Sequence, residues 1–320
     1  MSVDKAKNTA AQISIIMPLY NKENLVLSSI ASVQAQSFPD WELVVIDDGS
    51  TDAGPEQVAA LDDKRIRLVR QTNGGVSAAR NRGIAEARCE LLAFLDADDT
   101  WLPGFLQAIV ALARDFPQAR WFATSYLIRH PRDGEYQARL QGVPAGFQRG
   151  VLDDYFSVAA VSDPPVNSSV VSIFRSAIED IGGFPEGIAS GEDLLAWARL
   201  AAHFPLAYDA RALSVFEVSG IERGPDPAQR VAEALASLQR EFPQRSSLKA
   251  YLGLWNRMQA VMAMRFNDMA LARRCAWRAV CYGPRQWRNA YTLVLSWLPG
   301  GLRRGLDTFL RNLLRGQGIS

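Results

Sequence analysis

Short apolar runs alternate with stretches of helical periodicity through the first third of the chain. Ile13–Leu19, Glu42–Ile46, Ile66–Arg70 and Glu90–Leu95 read as strands. Between them, Glu23–Gln36, Pro55–Leu61 and Val76–Arg88 carry apolar residues at helical spacing. Strand and helix in strict alternation predict an α/β fold, a mainly parallel sheet flanked by helices. The middle segment, 121 to 225, is less regular and holds Pro164-Pro165, Gly182-Gly183 and Gly191-Glu192-Asp193. Past Pro225 and Pro227 the composition turns to Ala, Leu, Arg and Met with helical periodicity, so a domain boundary is expected there. The expected organisation is a disordered tail over 1–11, an α/β domain over 12–225 and a basic α-helical C-terminal region over 226–320.

In open α/β sheets ligands bind beyond the carboxyl ends of the strands. Three polar exits lie at such ends: Pro18 to Asn21, Asp47 to Ser50, and Asp96 to Asp99. The last, Asp96-Ala97-Asp98-Asp99, places three carboxylates on one strand tip. They repel one another unless a cation sits among them, and a hard divalent ion carrying a phosphate-bearing ligand meets that demand. An acidic turn that caps the helix near Pro103 accounts for the same tetrapeptide, and the convergence of three exits is what favours the ligand site.

Composition narrows the class. The 320 residues, 48% hydrophobic and 22% charged, fit a globular protein able to bury a large core. Met1 to Ala10 is polar with two lysines and does not resemble a secretory signal, which predicts a cytoplasmic location. Cys89, Cys275 and Cys281 form neither a metal-type pair nor an even framework, so reduced packing residues are expected. The net charge of +1 hides an asymmetry: residues 1–227 carry 20 Lys and Arg against 30 Asp and Glu, and residues 228–320 carry 15 against 4. A basic C-terminal third suits an anionic partner surface. Leu302, Leu306, Phe309, Leu310 and Leu313 share one helical face amid arginines, so residues 286–320 are expected to lie on an anionic membrane surface, or else to pack as an ordinary cationic-faced helix. No recognition motif accompanies the charge, which argues against nucleic acid.

Five ordered motifs resemble those of family 2 glycosyltransferases. They are Met17-Pro18-Leu19-Tyr20-Asn21-Lys22-Glu23, Trp41 through Asp52 with Asp47-Asp48-Gly49-Ser50, Asn73 through Gly83, the Asp96–Asp99 cluster, and Ile181-Gly182-Gly183-Phe184-Pro185 followed by Gly191-Glu192-Asp193. The resemblance covers residues 12 to 216. It implies a GT-A fold, a nucleotide-diphosphate sugar donor such as a UDP-sugar, and a divalent metal, Mn²⁺ or Mg²⁺. By matching position, Asp98 is the implied metal ligand, Asp96 a ligand to ribose or metal, and Asp99 a supporting carboxylate. Pro18, Tyr20, Asn21 and Glu23 fall to the nucleotide pocket, Asp48 with Asp47 to the base edge, and Arg80 to a uracil carbonyl or phosphate oxygen. In the Glu192-Asp193 pair, Asp193 takes the part of general base, removing the proton from an acceptor hydroxyl as it attacks the anomeric carbon. One base without a nucleophile implies single displacement with inversion. Asn167 is a candidate for the acceptor or donor-sugar side.

The pattern is broken at one place. Where the family often has Tyr-Arg-X-His, this chain has Val215-Phe216-Glu217-Val218-Ser219-Gly220, so Ser219 stands for the His and Arg223 is expected to supply the missing charge. No Gln-X-X-Arg-Trp motif and no run of 18 or more apolar residues occurs, which points to a non-processive enzyme. The acceptor implied is a glycan or lipid-linked glycan of cell-surface polysaccharide or lipopolysaccharide synthesis, with the enzyme peripheral at the inner face of the membrane. A catalytically degenerate nucleotide- or glycan-binding module, and a nucleotidyltransferase, are the competing readings.

Overall fold

A computed structural model of the protein describes residues 12–131, 134–188, 190–218, 224–225, 229–284, 286–300 and 302. The expected tail over 1–11, Ser219, Arg223 and the amphipathic stretch after Leu302 lie outside the described residues. The described chain divides into two compact units, within 1–222 and 223–320.

The first unit runs β1 (Ile13–Leu19), α1 (Val26–Gln34), β2 (Trp41–Asp47), α2 (Gly54–Ala59), β3 (Ile66–Arg70), α3 (Val76–Glu86), β4 (Leu91–Phe94), β5 (Thr100–Trp101) and α4 (Phe105–Asp115). It continues with β6 (Trp121–His130), β7 (Gly134–Gln137), β8 (Arg149–Leu152), α5 (Tyr155–Ala159), β9 (Val171–Phe174), α6 (Arg175–Asp180), α7 (Glu192–His203) and β10 (Leu206–Glu217). All ten strands join one sheet whose main path is β3-β2-β1-β4-β9-β6-β10-β5. The strands β3, β2, β1 and β4 are parallel, as the alternation predicts. Then β9 enters antiparallel between β4 and β6, and β10 lies parallel to β6.

The period of two along β1 and β2 divides their side chains between two faces. Ile13, Ile15, Met17, Leu43 and Val45 join Val26, Ile30 and Val33 of α1 and Phe105, Ile109 and Leu112 of α4 in one core. On the opposite face, Val44 and Ile46 meet Ala79 of α3. There Gly83 allows α3 to lie directly on β1, because a Cβ at that position would come within 2.3 Å of Ile16 Cγ2. Burial on both faces leaves polar chemistry only at the strand ends, which is where the site lies.

The second unit is helical: α8 (Arg230–Glu241), α9 (Ser246–Arg265), α10 (Met269–Tyr282) and α11 (Trp287–Trp297). Asn267 turns the chain in the left-handed region at φ 59, and Asp268 caps α10 by accepting from the Leu271 amide at 2.9 Å. Ala260, Ala263, Leu271, Ala272, Cys275 and Ala276 form the seam between α9 and α10. The three cysteines are free thiols, Cys89 and Cys275 buried and Cys281 exposed. No helix among the described residues is long and apolar enough to cross a membrane.

Candidate active site

The exits of β1 and β2 are laced together by bonds from backbone amides to side-chain oxygens. Asn21, at φ 52, accepts from the Thr51 amide at 2.8 Å through Oδ1, and its own amide donates to Ser50 Oγ at 3.2 Å. Glu23 donates its amide to Asp52 at 2.8 Å, and its carboxylate accepts from the Ala53 amide at 3.0 Å. Tyr20, half exposed, and the partly buried Pro18 flank this double loop. The first helix consequently starts at Val26, three residues later than its apolar periodicity suggests, because Glu23 is committed to the loop.

At the end of β2, Asp47 closes a tight turn by accepting from the Ser50 amide at 2.9 Å. Asp48 is buried and receives three donors: Gln71 Nε2 at 2.8 Å, the Gly74 amide at 2.9 Å and the Gly75 amide at 2.8 Å. Amide donors to an ionised acceptor make strong hydrogen bonds. Asp48 thus holds the loop that opens α3, where Gly75 adopts φ 87 with nothing near the missing Cβ.

The acidic cluster after β4 is partitioned by its partners. Asp98 meets Lys22 Nζ at 2.6 Å, joining the β4 exit to the β1 exit. Asp96 accepts from Arg80 Nη2 at 2.9 Å. Asp99 is buried, accepting from Ser169 Oγ at 2.5 Å and from the Glu217 amide at 2.9 Å. Burial, followed by the nearby Asp96, pushes the Asp99 carboxyl well above the usual carboxylate range. Ser169 Oγ also accepts from the Asp96 amide at 3.1 Å, so one hydroxyl spans two of the acids.

Arg80 organises the other side. It is 2% exposed and sits between Asp96 and Glu192, whose Oε1 is 3.4 Å from Nη1, with Phe184 beneath its guanidinium at 5.3 Å. Burial opposes the charge, yet Asp96, Glu192 and Asp193 outweigh it and raise the guanidinium above its ordinary value. Arg80, expected to reach a uracil carbonyl or phosphate, is instead turned into a carboxylate cage. Glu192, paired with Asp193 as a catalytic candidate, faces inward as part of that cage and is 2% exposed. Asp193 is only partly buried, and its Oδ1 accepts from the Leu194 amide at 2.7 Å in the first turn of α7. The positive φ of 84 at Gly191 sets that turn. Asn167, partly buried, accepts from the Ser169 amide at 2.8 Å and so shapes the loop before β9.

Among the described residues no three His, Cys, Asp or Glu side chains converge as a metal-binding group. Asp96 and Asp98 nevertheless each keep one carboxylate oxygen outside the bonds to Arg80 and Lys22. Magnesium-type sites often use one or two carboxylates, with substrate phosphates and waters completing the shell. The donor set present therefore fits a cation that arrives with a diphosphate. Two participants escaped the sequence reading, Lys22 and Gln71. The signal for Lys22 was its place between Asn21 and Glu23; Gln71 left none.

Residues 14–149 match the family model described as Glycosyl transferase family 2. An uncharacterised glycosyltransferase of Rickettsia conorii is 32% identical over 213 residues, covering 65% of this chain and 33% of its own. The chain thus spans about a third of the length of the curated relatives it matches first. The Escherichia coli protein WfgD, named as a UDP-Glc:α-D-GlcNAc-diphosphoundecaprenol β-1,3-glucosyltransferase, is 39% identical over 101 residues, 31% of this chain and 40% of its own. Among solved structures, S. aureus TarS in complex with UDP-GlcNAc superposes with a TM-score of 0.63 at 17% identity, covering 89% of this chain and 90% of that one.

Proposed function

Since the chain carries a family 2 glycosyltransferase domain on a GT-A fold, we propose that it is an inverting, non-processive enzyme that moves one sugar from a UDP-sugar to a hydroxyl of a glycan or lipid-linked acceptor. The observation that carries the reading is the gathering of Lys22, Asp48, Arg80, Asp96 and Asp98 at the exits of three adjacent parallel strands. The WfgD name and the nucleotide complexes of TarS support the donor class.

In this reading Pro18, Tyr20 and Asn21 wall the nucleotide, with Glu23 bracing the loop. The Asp48 carboxylate fixes the Gly74-Gly75 turn, and its remaining lone pair, with Asp47 beside it, is available to the base edge. Asp98 and Asp96 would hold Mn²⁺ or Mg²⁺, which when bound supplies charge stabilisation to the departing diphosphate. Lys22 places a second positive charge at the same spot. Asp193 accepts the proton of the acceptor hydroxyl at its carboxylate, raising the nucleophilicity of a neutral alcohol by about 10²- to 10⁴-fold. Glu192 keeps Arg80 charged and in place, a positioning role, while Asp99 and Asn167 anchor the loop before β9. Substitution of Asp193 by Asn is expected to abolish transfer while leaving UDP affinity intact.

A peripheral membrane location fits the same reading, because α11 exposes Trp287, Val294 and Trp297 on a basic unit. Liposome flotation with anionic vesicles tests it; equal partitioning after removal of residues 286–320 refutes it. The catalytic reading is tested by thermal stabilisation and turnover with a panel of nucleotide sugars in Mn²⁺, Mg²⁺ or chelator. Stabilisation by UDP-sugars with turnover is expected. No stabilisation by any nucleotide diphosphate overturns the reading, and stabilisation without turnover makes the chain a binding module.

A further inference from the structure

Two adjacent residues of α3 grip one distant segment at different points. Arg80 holds Glu192, where α7 begins, and Asn81 holds Phe184 in the loop before it. The Asn81 amide meets the Phe184 backbone on both sides: Oδ1 accepts from the Phe184 N–H at 2.8 Å, and Nδ2 donates to the Phe184 carbonyl at 2.9 Å. Nδ2 also donates to Glu186 Oε1 at 2.9 Å, so three bonds tie the loop to the helix. A flipped amide would set donor against donor, so its orientation is fixed.

The approach is close enough that the residue before Phe184 has to be glycine. A Cβ at Gly183 would lie 2.9 Å from Asn81 Oδ1, and its φ of 74 belongs to the left-handed region. The Gly182-Gly183-Phe184 turn is therefore shaped to receive Asn81.

What this clamp fixes is the Phe184 ring. The side chain is 1% exposed, with the Phe94 ring at 5.2 Å, the Arg80 guanidinium at 5.3 Å and the Trp197 ring at 5.6 Å. It is wedged between β4, α3 and α7. Helix α7 thus rests on Phe184 through Trp197 and on Arg80 through Glu192, with Asp193 next to the second contact. Asp193 Oδ1 is committed to the Leu194 amide at 2.7 Å, so the direction of its second oxygen follows from where the first turn of α7 sits.

We infer that Asn81 is a positioning residue for proton transfer: its bonds to the Phe184 backbone fix the ring against which Arg80 and α7 are set, and with them the aim of the Asp193 carboxylate. The inference rests on the reading of Asp193 as general base. The donor side is held independently, because Asp48 on the Gly74 and Gly75 amides, Lys22 on Asp98 and Ser169 on the Asp96 amide involve neither Asn81 nor the Phe184 loop.

Asn81→Ala in the full chain tests it with two readouts. In hydrogen exchange followed by mass spectrometry, residues 182–187 and the first turn of α7, where the Leu195 amide donates to the Gly191 carbonyl at 3.0 Å, should both exchange about tenfold faster. In turnover, UDP release from UDP-glucose and UDP-N-acetylglucosamine with water as acceptor should lose about tenfold or more in kcat, since a small misplacement of a reacting group costs up to about 10²-fold. The donor KM and the affinity for UDP with Mn²⁺ should stay within about twofold of wild type. Phe184→Leu keeps the backbone bonds to Asn81 but removes the ring; it should give faster exchange at the α7 turn and the same split between kcat and KM, and it stands in if Asn81→Ala does not fold. Faster exchange confined to 182–187, an unchanged kcat, or a joint fall of kcat and UDP affinity overturns the inference. If the wild-type chain turns over neither donor, exchange alone decides: wild-type rates over 191–196 in both variants overturn the clamp, while the donor panel judges the catalytic reading separately.

Discussion

Replacing Arg80 by Met tests whether the carboxylate cage is an electrostatic device or a packing accident. Met keeps the length and apolar contact with Phe184 but removes the charge. At the 3.4 Å separation from Glu192, the Coulomb attraction is about 5 kcal/mol at an effective dielectric constant of about 20. Asp96, nearer at 2.9 Å, does more to keep the guanidinium charged, but its side chain is 30% exposed and solvent screens its share of the folding energy. Breaking a buried pair from one side leaves the Glu192 carboxylate buried without its guanidinium, and the expected loss is about 3–5 kcal/mol, a large part of a total stability of about 5–15 kcal/mol. The pH dependence has a definite sign. Without Arg80, burial raises the folded-state pKa of Glu192 above its unfolded value of about 4.3, so the variant's deficit is smallest below that pH and grows toward neutrality. Urea unfolding followed by circular dichroism at several pH values measures this, and Glu192→Gln in the Arg80→Met background should recover most of the loss. A deficit below about 1 kcal/mol, or one that Glu192→Gln does not relieve, refutes the reasoning.

Three further outcomes are expected. The Asp99 carboxyl is raised in the folded state, so its contribution is complete below the unfolded value of about 3.9 and is lost as pH rises through the folded value. Asp99→Asn should therefore gain relative to wild type as pH increases, and parallel stability curves would contradict this. Gly83→Ala drives a methyl into Ile16 and should cost about 1–3 kcal/mol in thermal or urea unfolding; an unchanged midpoint would show that α3 can lift from β1 freely. Lys22→Met releases Asp98 from its 2.6 Å partner and should tighten Mn²⁺ binding several-fold without nucleotide, read as free Mn²⁺ by electron paramagnetic resonance. Unaltered Mn²⁺ affinity removes Asp98 from the metal site.

The sheet was legible where order was local. β1 occupies the residues its apolar run defines, because a strand buried on both faces announces itself without reference to partners, and β3, a partly buried edge strand, also keeps the bounds of its run. The segment from 121 onward was opaque for the opposite reason. β6 and β10 pair in parallel across most of a hundred residues, and β9 enters antiparallel between β4 and β6, so neither relation leaves a period in the sequence. The same division runs through the site. Motif spacing singled out Asp48, Asp96 and Asp98 as candidates, but their partners lie far along the chain: Gln71 is 23 residues from Asp48, and Lys22 is 76 from Asp98. An arginine beside a glycine turn reads as a ligand for phosphate until Glu192, 112 residues away, is seen to fold over it.

Ser169 carries a consequence for how this protein can be changed. Its hydroxyl accepts from the Asp96 amide and donates to Asp99, while the Asp99 carboxyl also accepts from the Glu217 amide. Three segments remote in sequence are therefore joined through one hydroxyl and one carboxyl. A loop transplanted before β9 to alter acceptor choice must bring a hydroxyl to position 169, or the carboxylate at position 99 must be removed with it. Loss of the hydroxyl alone strands a buried acid, and loss of the carboxyl alone strands the Ser169 hydroxyl and the Glu217 amide, so the effects of the two together should fall well short of their sum. For an engineer, residues 99 and 169 are a single module, to be exchanged as a pair.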